Sequence, residues 1–191
     1  MSQRSNAPYN DEILPDGLTI IYEGHDVSKT RSTPSPKVLD QPRTYPSGKL
    51  TQNGKFAEAI ERFKCGANAE RVRVYEKLFS GVWSFRGKFE LADYTFESDG
   101  TRKVFRFVLR LGDSDIDMSA NSLKERSRVI PTEVKKAVWE RDHGKCVICG
   151  ATDELHFDHD IPYSKGGTSV SVENVRILCA RHNLKKSDRI E

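Results

Sequence analysis

The sequence predicts an α+β protein in two parts: a strand-dominated first domain with few helices, and a small C-terminal domain. Three observations predict it. Segments rich in β-branched and aromatic residues recur through the first 111 positions; a charged, Asp- and Ser-rich stretch breaks the apolar pattern after them; and three of the four cysteines, Cys146, Cys149 and Cys179, gather near the end.

In the first part "GLTIIYEG", "ERVRVYEKL", "GKFELADYTFE" and "KVFRFVLRL" read as strands with partial alternation, and "SDGT" reads as a turn between the last two. "NGKFAEAIERFK" has the spacing of one amphipathic helix. "RSTPSPKVLDQPRTYPSG" carries four of the eight prolines, a long irregular excursion of the kind retained where it has a task. "LGDSDIDMSANSLKERSRVIP" lacks sustained apolar periodicity. The expected organisation is therefore a domain over 1–112, a linker over 113–130 and a second domain over 131–191.

In that second domain "PTEVKKAVWERD" reads as a short helix with Pro131 in its first turn, "ELHFDH" and "NVRILC" as two strands, and "ARHNLKKSDR" as a closing helix. About sixty residues make a poor hydrophobic core alone, so a structural metal is expected to supply stability.

Composition sets limits on what the chain does. Of 191 residues 36% are hydrophobic and 31% charged, and no run approaches the roughly 20 apolar residues of a membrane span, so a soluble, cytoplasmic protein is expected. Residues 1–112 carry 18 Lys and Arg against 14 Asp and Glu, whereas 131–191 carry 10 of each, so the basic excess lies in the first part. Such a balance suits a phosphate-binding surface and an ordinary solvated one about equally.

Chemistry concentrates at the end of the chain. Cys146 and Cys149 form C-x2-C, and Cys179 and His182 form C-x2-H, which matches a tetrahedral structural zinc site. The 29 residues between the pairs exceed a simple zinc ribbon and contain "LHFDHDIPYSKGG". Asp158 and His159 adjoin at a strand end, and Asn183 follows His182 on the last helix, turned about 100° away from it. The Asp158 carboxylate and the Asn183 amide are hard oxygen ligands suited to Mg²⁺ or another divalent ion. His159, titrating near neutrality, is a natural general base for water attack on phosphorus. Regular pleating would send Asp158 and His159 to opposite faces, so a departure from it is expected there. His156 and Asp160 read as solvated or supporting groups; Lys165, Lys185, Lys186 and Arg189 could contact phosphates, but such charges more often serve only as exposed, solvated charge.

"RVIPTEVKKAVWERDHGKCVICG", "FDHDIPYSKGGTSVSVENVRILC" and "ARHNLKKSDR" together resemble the HNH nuclease family, over residues 128–189. That resemblance implies a zinc-containing ββα-metal fold cutting DNA with one divalent ion. It implies His159 as the base, Asp158 and Asn183 as ligands of the ion, and Asn174 as the residue that pins the loop. Members with zinc usually carry a second Cys where this chain has His182, which leaves two readings: His182 as the fourth zinc ligand, or as a ligand of the catalytic ion.

A bare module of this kind has little sequence preference, so the first domain should direct it. "YNDE", "DGLTIIYEGHD", "DQ", "LTQNGKFAEAI", "RVRVYEKLF" and "FRGKFELADYTFESDGTRKVFRFVLRL" resemble, in order, the SRA domain, a PUA-like twisted β-barrel that flips a modified cytosine out of duplex DNA. The usual Tyr-Asp-Gly is "FRG" here. The resemblance implies Tyr9 and Tyr22 as stacking faces, Asp11 or Glu12 as the acid meeting the cytosine amine, and Glu23 where the family often has Thr. Arg43, Lys49 and Lys55 become candidate DNA contacts.

The expected function is a modification-dependent restriction endonuclease, bacterial in type, acting on double-stranded DNA with 5-methylcytosine or a related base. One active site cuts one strand, so a homodimer is a candidate assembly. The alternatives are an HNH nuclease whose first domain reads unmodified DNA, a noncatalytic zinc-dependent DNA-binding protein, and a nuclease toxin.

Overall fold

In the computed structural model, which describes residues 1–2, 7–31, 33–112, 128–187 and 189, the alternating stretch at the end of the first part becomes the middle strand of a sheet. The strands are β1 (Glu12–Ile13), β2 (Thr19–Glu23), β3 (Arg71–Phe79), β4 (Val82–Ser98) and β5 (Lys103–Leu111), in the order β1-β2-β5-β4-β3. Phe105, Phe107, Leu109 and Leu111 are buried while Arg106 and Val108 are only partly buried and Arg110 is exposed, the period of two that lets one face of a strand supply core. β5 pairs antiparallel with β2, Tyr22 opposite Phe107 and Glu23 opposite Arg106, and with β4, Phe89 opposite Leu111. A register shift between Leu91 and Asp93 bends β4, as a bulge does. Residues of β2 and β3, three places apart in the strand order, line one cavity, so the sheet curls into half a barrel.

α1 (Gln52–Lys64) covers the hollow of that curl. Thr51 caps it, its Oγ accepting from Gly54 N at 3.1 Å, and Ala57 and Ile60 are buried beneath it. The edge of Phe56 meets the ring of Phe107 at 5.4 Å. Each fully buried phenylalanine here, Phe89 and Phe107, contributes about 1.5–3 kcal/mol of transfer free energy. A Cβ on Gly54 would stand 2.1 Å from the Arg43 carbonyl oxygen, so glycine lets the Pro-rich excursion lie against the helix start.

The chain divides into two compact units, Met1–Lys77 with Trp83–Gly112, and Leu78–Val82 with Asp113–Glu191. Residues 113–127 of the expected linker lie outside the described residues. From Arg128 on, the second unit is α2 (Thr132–Arg141), β6 (Leu155–His159), β7 (Val175–Cys179) and α3 (Ala180–Lys186). Val134 and Val138 of α2 pack on Val175 and Ile177 of β7, while Leu178, on the other face, packs with Cys146 and Cys179. Arg141 ties the helix down by donating to the carbonyls of Val172 and Val175, and Asp142 accepts from Ile177 N at 2.9 Å.

Three local expectations change. Pro131 is the N-cap residue of α2 rather than part of its first turn. α3 stops at Lys186, because Ser187 takes φ 52°, which ends an α-helix. β6 stays regularly paired through Asp158 opposite Arg176 and His159 opposite Val175, so the expected loss of pleating there does not occur.

Among the described residues no helix is long and apolar enough to cross a membrane.

Candidate functional site

The turn "CVICG" and the first turn of α3 bring four soft donors together. One ligand atom from each of Cys146, Cys149, Cys179 and His182 falls within 4.8 Å of all the others. His182 Nδ1 is 3.5 Å from Cys146 Sγ and 3.3 Å from Cys179 Sγ, and Cys149 Sγ is 3.8 Å from Cys179 Sγ. Of the two readings of His182, the geometry puts its ring with the thiols. Burial works against ionising Cys146, but the backbone amides of Cys179, Cys149 and Ile148, aided by His182, hold its thiol down to about 6. At Cys149 the Ala151 amide lowers the thiol, yet burial and the neighbouring sulfurs outweigh it and push it up. A cluster in which one thiolate forms easily and the next resists it is one that a soft cation would neutralise.

Asp158 and His159 leave β6 on opposite faces, and different neighbours receive them. Asp158 accepts from Lys186 Nζ at 2.6 Å; the same ammonium also donates to the His159 carbonyl. Lys186 is 1% exposed, so the expectation of a solvated charge fails: its position one turn after Asn183 puts it on the helix face that meets β6. Asn183 is half-buried on α3 at i−3 from Lys186, and therefore on that same face. His159 Nε2 is 2.9 Å from Ser169 Oγ, and its ring is edge-on to Tyr163 at 6.3 Å. Burial pulls the imidazole below its ordinary value, Asp158 raises it, and Lys186 and Arg128 pull it further down. At neutral pH the ring is uncharged and able to accept a proton.

Between β6 and β7 the loop is held by one side chain. Asn174 Oδ1 accepts from Ile161 N at 2.8 Å, and its Nδ2 donates to the carbonyls of Ile161 (3.2 Å) and Thr168 (2.9 Å). Gly167 makes room for it, since a Cβ there would stand 1.8 Å from Ile161 O and 2.9 Å from Asn174 Nδ2. Ser169, 2% exposed, is thereby delivered to His159. Sequence reasoning passed over Ser169 and read Lys186 as surface charge; no spacing rule marks a serine in a loop or picks the buried lysine of a pair. His156 is exposed, and Asp160 pairs with Arg176 at 2.8 Å.

In the first unit Tyr9, Asp11 and Tyr22 line one cavity of about 430 Å³, together with Lys77 and Trp83. Asp11 is already engaged, its carboxylate accepting from the amides of Ser2 (2.9 Å) and Glu23 (3.2 Å). Glu12 is exposed and lines none of the cavities described, so of the two candidate acids only Asp11 adjoins the tyrosines. Burial, then the Asp11 charge, push the Tyr22 hydroxyl up to about 12. His25 lies 2.7 Å by Nε2 from Tyr22 Oη, with its ring 6.0 Å from both Tyr9 and Tyr22. Asn53 of α1 fixes it by bonding the His25 amide and carbonyl, each at 2.8 Å.

Glu23 is buried and faces a second cavity of about 580 Å³ beside Tyr9, Asp11, Lys37 and Arg102. It accepts from Asn10 N at 2.8 Å and Arg102 at 3.4 Å; Arg102 also meets Asp26 at 2.6 Å, and Lys37 meets Asp26 at 3.0 Å. Arg102 also meets Asp99 at 3.7 Å, so three acids and two cations share one network. Arg43 does not stand ready for phosphate: its guanidinium makes a two-pronged pair with Glu61 at 2.8 and 2.7 Å. Lys49 and Lys55 are exposed and line none of these cavities.

Residues 146–189, within the second unit, match the family model described as HNH endonuclease. No curated protein matches the chain. Among solved structures, the SRA domain of SUVH5 in complex with fully methylated CG DNA is 23% identical, with a TM-score of 0.38, covering 55% of this chain and 58% of that one. The Type IV phosphorothioation-dependent restriction endonuclease ScoMcrA is 18% identical, with a TM-score of 0.35, covering 98% of this chain and 52% of its own. The chain thus spans little more than half the length of either.

Proposed function

We propose that this chain is a modification-dependent DNA endonuclease. Its first unit would hold an extruded, modified cytosine, and its second would hydrolyse a phosphodiester bond. The observation that carries the nuclease half is the placement of Asp158 and His159 on β6, Asn174 just before β7 and Asn183 on α3, inside a segment that matches the HNH endonuclease family. His159 takes the proton of the attacking water, and Ser169 and the Asn174-pinned loop hold the ring in place. In the tautomer whose Nε2–H donates to Ser169 Oγ, the Nδ1 lone pair is the acceptor. Asp158 and Asn183 supply hard oxygens suited to Mg²⁺, which when bound offsets charge on the phosphate and the leaving oxygen. Lys186 shares the Asp158 carboxylate and limits the negative charge a phosphate would meet. Cys146, Cys149, Cys179 and His182 are the donor set for a structural zinc.

For the reading half, a pyrimidine out of the stack needs aromatic faces and an acceptor for its amine. Tyr9, Tyr22 and Asp11 around one cavity meet that need. Losing a stacking face typically costs about 1–3 kcal/mol, which is about five- to 150-fold in affinity. Tyr22→Ala is therefore expected to lower affinity for 5-methylcytosine duplex by that factor. Affinity for the unmodified duplex should barely change, since phosphate contacts carry it. Binding of both duplexes at one salt concentration, on a variant with the wild-type melting curve, checks this. An unchanged ratio of affinities in Tyr22→Ala would remove Tyr22 from the pocket.

A further inference from the structure

The hairpin of β3 and β4 has one face the core does not use. Val74, Glu76 and Leu78 of β3, with Ser84 and Arg86 of β4, point inward, and Glu76 is spent on Arg86 at 3.0 Å in a buried pair. The alternate positions are Arg71, Arg73, Tyr75 and Lys77 on β3 and Trp83 and Phe85 on β4. Trp83 is 57% exposed, Phe85 49% and Tyr75 46%, so this face presents three large, partly exposed rings. Tyr75 and Phe85 meet at 5.4 Å between centroids, and Lys77 Nζ lies 5.6 Å from the Trp83 ring centre.

Cross-strand aromatic pairing stabilises a hairpin and would account for rings alone. It does not account for cations between them. A face on which Arg73 and Lys77 stand among Tyr75, Trp83 and Phe85, with Arg71 at its end paired to Glu90 at 3.0 Å, is complementary to a strand with phosphates outside and bases stacked within reach. The strip also runs into the base cavity, since Trp83 and Lys77 line it together with Tyr9, Asp11 and Tyr22. Trp83 and Tyr75 further line the adjoining cavity of about 260 Å³ that holds Tyr22 and His25.

We propose that this face is a stacking surface for unpaired nucleotides of a DNA strand, with Trp83, Tyr75 and Phe85 receiving bases and Arg73 and Lys77 receiving phosphates. Extruding one base leaves its neighbours unstacked, and the strip lies where they would need a new surface. The proposal rests on DNA being the partner of the first unit, but it requires no modified base.

Binding of unmodified single-stranded oligothymidine to the full chain tests it, across a salt series and with sedimentation run in parallel. Trp83→Ala should weaken binding about five- to 150-fold, and Trp83→Phe should restore most of the affinity, because an aromatic face remains. Lys77→Ala should lower the salt slope by about 0.7, as expected for one single-strand phosphate contact. Trp83 is exposed, so both variants should melt as wild type does. Wild-type affinity in Trp83→Ala would overturn the proposal, as would a variant that only turns a dimer into a monomer, which would give the face to a second copy of the chain. If wild type prefers modified duplex yet ignores oligothymidine, this surface fails and the base pocket stands. If it binds no DNA at all, both fail.

Discussion

His159→Ala is expected to reduce DNA cleavage by about 10²- to 10⁴-fold, the usual contribution of a general base, while leaving DNA affinity within about twofold of wild type. The ring acts on water, not on the duplex, and its Nε2 is bonded to Ser169. Removing it leaves Asn174 bonded to Ile161 and Thr168, so the loop should persist. Buried below its ordinary protonation range, the imidazole is in its basic form at neutral pH, which is the form the role demands. Cleavage under single-turnover conditions beside a binding titration separates the two effects. A variant that cuts at the wild-type rate would end the assignment.

Cys149→Ala is expected to remove zinc and unfold the second unit. The buried cluster on which α2 rests is small, built around Ile130, Val134, Val138, Val175 and Ile177. Zinc bound by such a donor set contributes about 10–16 kcal/mol in zinc-finger peptides, far more than so small a core supplies, so losing the ion should lose the fold. Cys149 is exposed at the turn, so its substitution opens no cavity, and a loss of stability would report the ion. Zinc per chain, measured with a thermal melt, should fall from about one to near zero, with the transition of the second unit gone and that of the first retained. Unchanged zinc and an unchanged melt would take the site out of the account.

How legible this was depended on whether a residue acts through spacing or through the fold. The "KVFRFVLRL" strand and the "NGKFAEAIERFK" helix follow from periodicity, because water sorts their side chains by face. The four donors near the end follow from two x2 spacings, because one turn or one helical step can present only such pairs. "VWSFRGK" resisted the same reading. There Arg86 faces inward against Glu76 and the aromatic residues face outward, the reverse of the binary pattern. Lys186, read as exposed charge, is nearly fully buried on Asp158, 28 residues back along the chain, and Arg102 is nearly fully buried among Asp99, Asp26 and Glu23, the last two 76 and 79 residues back. His25 had no partner in the sequence because Tyr22 and Asn53 reach it only once β2 and α1 are placed. Buried polar networks carry no local signature, and most of what the sequence hid is of that kind.

The central claim is that cleavage depends on a modified base, and it is tested most directly by digesting matched duplexes of one sequence carrying cytosine, 5-methylcytosine, 5-hydroxymethylcytosine or glucosylated cytosine, in Mg²⁺ at fixed salt. The account predicts cutting of at least one modified duplex at least about tenfold faster than the unmodified one, the discrimination that 1.4 kcal/mol of pocket binding would give. Equal rates on all four would contradict it and leave a nuclease whose first unit reads something other than modified cytosine.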